Sequence, residues 1–325
     1  MNSRLPVIVT TIVFLLGFAG CGLHFPHFAS TRVVGNLLTD NAYLGVMAVG
    51  MTFVIISGGI DLSVGAVLGF TTVFLAIAIG RLGIPPLLAF VLVLLLAGAF
   101  GAAMGALIQF LEMPPFIVTL AGMFLARGAS FLLSTQSIPV GAPLYDTLNA
   151  FALHLPGGGR LTFITLLMLA VFAGGIVLLH FTRFGSYVYA LGGSRASTAL
   201  MGIPVARTTI RIYALSGLLA GLSGIVFSLY TSSGYSLSGV GNELDAIAAV
   251  VIGGTLLSGG VGTLFGTFVG VLIEGLIQTY ITFDGTLSSW WAKIVTGALL
   301  FAFIAFQRLM SGGGFRRSRA GAAAA

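Results

Sequence analysis

Apolar runs with almost no charge recur down the whole chain, separated by short polar or glycine-rich breaks. A helix needs about 20 apolar residues to cross the hydrocarbon core of a bilayer. Ten runs reach or approach that length: 5–23, 41–58, 62–80, 84–108, 114–134, 161–181, 209–231, 244–258, 261–281 and 288–307. Several are short or interrupted by paired glycines, at Gly58-Gly59 and Gly253-Gly254. The stretch 246–273 also admits a single long tilted helix, which would leave nine spans. The pattern predicts an all-α polytopic membrane protein with about ten transmembrane helices, some short or broken at glycine pairs, in one domain over 1–325. Two connecting segments are long, 135–160 and 182–208. The second holds three arginines and an alanine-rich stretch from Ser194 to Gly202 that predicts a short surface helix. The alanine-rich tail, 312–325, is expected to be disordered.

Composition agrees with that reading. Only 7% of the residues are charged and 58% are hydrophobic, where a soluble domain carries roughly 25% charged residues. A soluble globular enzyme lacks its polar surface here, and a disordered chain or nucleic-acid binder lacks its charge. The net charge of +6 matters through its placement. With ten spans and the N-terminus inside, Arg4, Arg183, Arg195, Arg207, Arg211, Arg308, Arg316, Arg317 and Arg319 fall on the inner side. Arg32, Arg81 and Arg160 fall outside, a bias that fits the positive-inside rule. Nine spans would move the last arginine cluster outside. The expectation is therefore ten spans, with both termini cytoplasmic.

Catalytic patterns are missing. No phosphate-binding Walker loop occurs, and the one lysine, Lys293, follows alanine. The single cysteine, Cys21, excludes a disulfide framework, and no metal-ligating cluster is read, His24 and His27 being taken as interfacial. The end of the first run, Phe18-Ala-Gly-Cys21, is similar to a lipoprotein signal, but Phe18 stands where leucine is usual. That run is read as a first transmembrane helix.

Charges inside spans cost about 2.5–3.5 kcal/mol each on insertion scales and so mark function or pairing. Asp61 lies in the break Gly58-Gly-Ile-Asp-Leu-Ser63, where it either lines a path or caps the next helix. Glu274 and Gln278 are four apart and share a helix face, suited to sugar hydroxyls or to an interhelical bond. Arg127 is expected to pair with an acid, Glu243 and Asp245 to be a solvated helix start, and Trp290 and Trp291 to be interfacial anchors. The second break, Gly253-Gly-Thr-Leu-Leu-Ser258, echoes the first, and transporter sites often sit at such paired breaks. Asp61, Ser63, Thr255, Ser258, Glu274 and Gln278 are thus the candidates for a translocation path.

Two long segments carry a resemblance. Gly45-Val-Met-Ala-Val-Gly-Met-Thr-Phe-Val-Ile-Ile-Ser-Gly-Gly-Ile-Asp-Leu-Ser-Val-Gly65 and Leu244-Asp-Ala-Ile-Ala-Ala-Val-Val-Ile-Gly-Gly-Thr-Leu-Leu-Ser-Gly-Gly-Val-Gly-Thr263 resemble the ribose/galactose-type permeases of ABC importers. The loop from Arg183-Phe-Gly to Met201-Gly-Ile203 is similar as well, and the likeness spans about 30–308. The resemblance implies a bacterial inner-membrane permease for a monosaccharide that works by alternating access. It implies no cofactor on this chain, since ATP is used by a cytoplasmic ATPase subunit. It also implies a second, homologous permease as heterodimer partner, a periplasmic sugar-binding protein, a lipid surround and no nucleic acid. By the same similarity Ser194, Arg195, Ala196, Ala199, Met201, Gly202 and Ile203 would form the coupling helix seated on the ATPase. The rival reading is a proton- or ion-coupled secondary transporter with Asp61 or Glu274 as its ion site.

Overall fold

The computed structural model describes residues 5–312. Arg4 and Arg316, Arg317 and Arg319 lie outside the described residues, as does the expected disordered tail apart from Gly312.

Fourteen helices carry the described part of the fold. They begin with α1 (Leu5–His24), α2 (Thr31–Asp40), α3 (Ala42–Ile56) and α4 (Val64–Gly80). Next come α5 (Pro86–Phe110) and α6 (Pro115–Leu133), each opened by a proline, whose missing N–H costs nothing in a first turn. A short α7 (Pro143–Ala150) precedes α8 (Phe163–His180), α9 (Arg183–Gly193) and α10 (Arg195–Leu200). The hydroxyls of Thr162, Thr182 and Ser194 cap α8, α9 and α10 in turn. The chain ends with α11 (Val205–Thr231), α12 (Asn242–Ile252), α13 (Leu264–Asp284) and α14 (Trp290–Gly312).

Each of the ten expected spans coincides with a helix, but their lengths differ. Seven described helices are long and apolar enough to cross a bilayer, and α2 with α3, bent by 56°, makes an eighth if counted as one span. The apolar α4 has 17 residues and α12 only 11. The stretch 246–273 is two helices, because α12 stops at Ile252 and α13 starts at Leu264. Four short strands were not foreseen: β1 (Ile138–Pro139) pairs antiparallel with β4 (Ser233–Gly234), and β2 (Ala152–His154) with β3 (Arg160–Thr162).

The core sits around α3 and α4, buried on nearly every side. Helix α11 packs on α5, α3 and α4. Its contact with α5 brings the two backbones together: Gly101 faces Tyr213 and Gly217, Gly105 faces Ile210 and Tyr213, and Gly221 faces Ala97. Both glycine sets keep the four-residue spacing that lets transmembrane helices approach closely. A β-carbon on Gly101 or Gly217 would enter the facing backbone, so these positions accept no side chain without moving the helices apart. The outer faces of α1, α5, α6 and α14 are lined with exposed leucine, isoleucine and phenylalanine, as a lipid-facing surface requires.

Contacts sort the two ends of the bundle. At one end α1 reaches α12 (Thr10 Oγ1 to Ile252 O, 2.6 Å) and α10 reaches α5 (Arg195 Nη2 to Gln109 Oε1, 2.6 Å). Arg183, Arg195, Arg207 and Arg211 gather on the helices of this end. The opposite end holds α2, the strands, α7 and the start of α14; there Thr31 Oγ1 donates to Pro156 O at 2.7 Å.

Candidate functional site

Both helix breaks lie at the arginine-rich end, and both helices stop by the same device. Gly58 (φ +83°) and Gly254 (φ +94°) hold the left-handed conformation that ends α3 and α12. After α3, Gly58 N–H bonds to Ile55 O at 2.9 Å and Gly59 N–H to Val54 O at 3.0 Å. After α12, Gly254 N–H bonds to Val251 O at 2.9 Å and Thr255 N–H to Val250 O at 3.2 Å. This is the Schellman arrangement, which satisfies two orphan carbonyls at a helix end. The structural equivalents are thus Gly58 and Gly254, one residue out of register with the glycine pairs visible in sequence.

Asp61 closes the first break. Its Oδ1 accepts from Ser63 N–H (3.0 Å) and Ser63 Oγ (2.6 Å), and its Oδ2 accepts from Ser216 Oγ (2.7 Å) of α11. Asp61 and Ser63 are fully buried. The second break has no such carboxylate. Leu256 N–H bonds to Val261 O at 3.0 Å, Gln307 of α14 donates to Val251 O and Thr255 O, and the buried Thr255 hydroxyl has no partner.

The loop α9–α10 joins the two breaks. Gly260 N–H bonds to Ile56 O at 2.8 Å, across from one break to the other. Gly192, near the end of α9, lies against both Ile56 O and Gly260 N, with no room for a β-carbon. Tyr189 donates to Gly262 O at 2.7 Å, and burial pushes its phenol up to about 12, so it stays a neutral donor. A cavity of about 400 Å³ opens beside this junction, with Ser57, Gly58, Gly193, Arg195 and Ser258 on its wall. On α10 itself Ala196, Ala199 and Leu200 are exposed, as is Met201 just after; Thr198 is buried and ties the turn to Ala190 O at 2.8 Å. Gly202 is left-handed (φ +74°) and turns the chain into α11 through Ile203.

At the opposite end lies a larger cavity, about 470 Å³, between α2, α3, α12, α13 and α14. From α2 and its junction with α3 come Asn36, Asp40 and Asn41; α12 adds Asn242 and Asp245. Helix α13 adds Glu274 and Gln278, and α14 adds Trp290, Lys293 and Thr296. Lys293 Nζ pairs with Asp245, 2.5 Å from Oδ1 and 2.6 Å from Oδ2, the one salt bridge among the described residues. Glu274 accepts from Thr296 Oγ1 at 2.8 Å through Oε2, while its buried Oε1 has no partner. Asn41 donates to Leu37 O at 2.8 Å, leaving its carbonyl for other use. Asp40 accepts from Tyr230 at 3.1 Å.

The six path candidates therefore do not meet at one place. Glu274 and Gln278 share the larger cavity, Ser258 borders the smaller one, and Asp61, Ser63 and Thr255 are sealed in protein beside the smaller. Asn36, Asn41, Asn242 and Asp245 were missed as a group because each is an ordinary polar residue within or beside a helix. Only the packing of five helices assembles them. Asp245 is no solvated helix start; it holds Lys293. Trp290 is 76% exposed and also borders the cavity. Backbone holds Arg127: its guanidinium donates to the carbonyls of Ser236, Ser238 and Gly65, and the expected acid is Glu243, which attracts it through space and not in a contact ion pair. Those carbonyls belong to the turn after α11 and to α4, so Arg127 stitches three segments together.

Comparison with known proteins adds the remaining evidence. The family model described as branched-chain amino acid transport system / permease component matches residues 33–304. The chain is 65% identical over 308 residues to the inner membrane ABC transporter permease protein YjfF of Escherichia coli (strain K12), covering 95% of this chain and 93% of that one. It is 37% identical over 323 residues to the fructose import permease protein FruG of Bifidobacterium longum (strain NCC 2705), covering 97% and 94%. It is 38% identical over 278 residues to the ribose import permease protein RbsC of Escherichia coli (strain K12), covering 85% of each. No solved structure matches the chain.

Proposed function

The chain belongs to the family of ABC-type permease components, and from that premise we propose that it is a permease subunit of an ATP-driven importer for a monosaccharide, galactofuranose. It is a transport subunit, not an enzyme. Two of its relatives are named for the import of fructose and ribose, which supports a sugar. The segments Pro156-Gly-Gly-Gly-Arg-Leu161 and Phe283-Asp-Gly-Thr-Leu-Ser-Ser-Trp-Trp291 are similar to a permease of the bacterial galactofuranose importer. One observation carries the choice of sugar: Phe283, Ser289 and Trp290 of the second segment line the large cavity. The first segment packs on α2, which forms another of its walls, through Thr31 and Gly35.

The chain lies in the inner membrane as ten alternating traverses, with the short α4 and α12 embedded in protein and both termini cytoplasmic. The arginine-rich end faces the cytoplasm. There α10 seats on a cytoplasmic ATPase through the exposed Leu200 and Met201 flanked by Ala196 and Ala199. ATP binding and hydrolysis occur on that partner, and this chain holds no cofactor. A second, homologous permease completes the pore, and a periplasmic binding protein delivers the sugar to the cavity end. When the ATPase dimer closes, α10 moves. Because Gly192 abuts both breaks, that motion reaches α3 and α12 directly and alternates access.

Uptake of labelled galactofuranose by cells deleted for this chain tests the assignment. Loss of uptake, restored by the chain and competed weakly by ribose or fructose, is the expected outcome. Preferential loss of ribose or fructose uptake would change the sugar and leave the subunit's role intact. Uptake that stops at once under a protonophore while ATP is held constant would instead favour an ion-coupled transporter. Ala196→Asp and Ala199→Trp should lower import at least ~10-fold while changing folding stability by no more than about 0.5 kcal/mol, as exposed positions do. Unchanged ATPase association and uptake in both variants would remove α10 from the interface.

A further inference from the structure

A buried carboxylate oxygen without a partner calls for an explanation, and Glu274 Oε1 is such an atom at the edge of a polar cavity. Its other oxygen is already used by Thr296. Free acceptors also sit on Asn41, whose amide N–H is spent on Leu37 O. Asn36, Asn242 and Gln278 bring both donors and acceptors to the same space. The volume, about 470 Å³, lies in the range of small-molecule sites.

We propose that this cavity is a transit site, within the permease itself, for a neutral polyhydroxylated solute, with Glu274 Oε1 accepting a hydrogen bond from one of its hydroxyls and Trp290 offering a ring face at the mouth. This deepens the permease reading and rests on it. The charge balance sets the ligand class. Asp40, Asp245 and Glu274 line the cavity against one ammonium, Lys293, and that ammonium is spent on Asp245. An anionic sugar would meet carboxylates with no free cation. A neutral sugar meets the amide and carboxylate acceptors that its hydroxyls satisfy. Binding here is weak by design, since a conducting site must release what it accepts. A half-saturation in the millimolar range corresponds to only about 4 kcal/mol.

The test uses the complete importer, this chain with its partner subunits, in lipid vesicles. Thr282→Cys places a thiol on the cavity wall at a position given no part in holding the sugar, and Cys21, the only native cysteine of this chain, is buried. Modification by a hydrophilic maleimide is timed with galactose, ribose or fructose present, and with glucuronate as the anionic control. A neutral sugar should slow the reaction at least ~5-fold at tens of millimolar, and glucuronate should not. Adding Glu274→Gln should raise the sugar concentration for half-protection ~10-fold, the loss expected for one charge-assisted hydrogen bond. ATP-driven import by the Thr282→Cys complex certifies that it is folded. Equal protection by glucuronate, no protection by any neutral sugar in importing vesicles, or an unchanged half-protection in Glu274→Gln would each overturn the site. The importer reading fails separately: protection with no ATP-driven import would retain the site and discard the importer.

Discussion

At the break after α3, Gly58 and Gly59 donate to Ile55 and Val54; at the break after α12, Gly254 and Thr255 donate to Val251 and Val250 in the same pattern. From there the two segments diverge. The first returns in seven residues, 57–63, clamped by a buried carboxylate that accepts three hydrogen bonds. The second takes eleven, 253–263, with left-handed glycines at 254, 259 and 260 and a threonine hydroxyl that bonds to nothing. Ending a helix and holding the chain that follows it are separate problems. A single left-handed glycine solves the first, at Gly58 and Gly254 alike. The second is solved by side-chain chemistry in one break and by backbone contacts in the other. A side-chain carboxylate holds the first break, and close backbone packing around its glycines holds the second.

Removing the clamp should give the largest effect. Asp61→Ala leaves Ser63 N–H, Ser63 Oγ and Ser216 Oγ without their acceptor in a dry interior. The expected cost is about 2–4 kcal/mol, read as a lowered unfolding midpoint of the purified complex in mild detergent. Asp61→Asn keeps one oxygen for the two Ser63 donors and should lose less than half as much. An alanine variant within about 0.5 kcal/mol of the parent would mean that the glycine turn alone holds the first break, as it does the second.

The next effect falls where the breaks meet. Gly192→Ala drives a β-carbon into Ile56 O and Gly260 N, whereas Gly193→Ala meets nothing within 4 Å. Overpacking of this kind costs about 1–3 kcal/mol, and here it displaces the contact between the α9–α10 loop and both breaks. Import should fall ~10-fold or more in Gly192→Ala, with ATP hydrolysis retained, if the junction carries motion from the ATPase; a tenfold loss is about 1.4 kcal/mol. Gly193→Ala should import like the parent. Equal behaviour of the two variants, measured side by side in vesicles, would remove the junction from the coupling route.

Much of this contrast was legible before any coordinates. Apolar runs coincide with all seven described helices long enough to cross a bilayer, and the glycine pairs marked both breaks, because a run of hydrophobic residues and a helix-ending glycine are local signals. That the Asp61 carboxylate could accept an N–H at the start of α4 was one of two readings open in the sequence, beside a path-lining role, and Ser63 N–H does bond to it. What stayed hidden depends on residues distant in sequence. The bond from Gly260 to Ile56 joins segments about two hundred residues apart, and nothing local announces it. The polar cavity is hidden for the same reason, its lining drawn from five helices that are far apart in sequence. The backbone partners of Arg127 were hidden likewise, since carbonyls on α4 and on the turn after α11 take its guanidinium while Glu243 acts on it only through space.

The smallest predicted effect is the most discriminating between the breaks. Thr255 is fully buried and its hydroxyl has no acceptor, so the folded protein already bears the cost of desolvating it. Thr255→Val removes that hydroxyl at nearly constant shape, and stability should stay within about 0.5 kcal/mol or rise slightly. Ser63→Ala, by contrast, deletes a donor to Asp61 and should cost about 1–2 kcal/mol. The pair of midpoints, measured on the same complex, compares one hydroxyl at each break. Import then adds a second axis. If Thr255→Val leaves both stability and import unchanged, the second break is held by its backbone and its threonine is a bystander. If stability is unchanged but import falls severalfold, the hydroxyl finds its partner only in a conformation that opens during the cycle. That result would make the second break, and not the clamped first one, the place where this bundle opens.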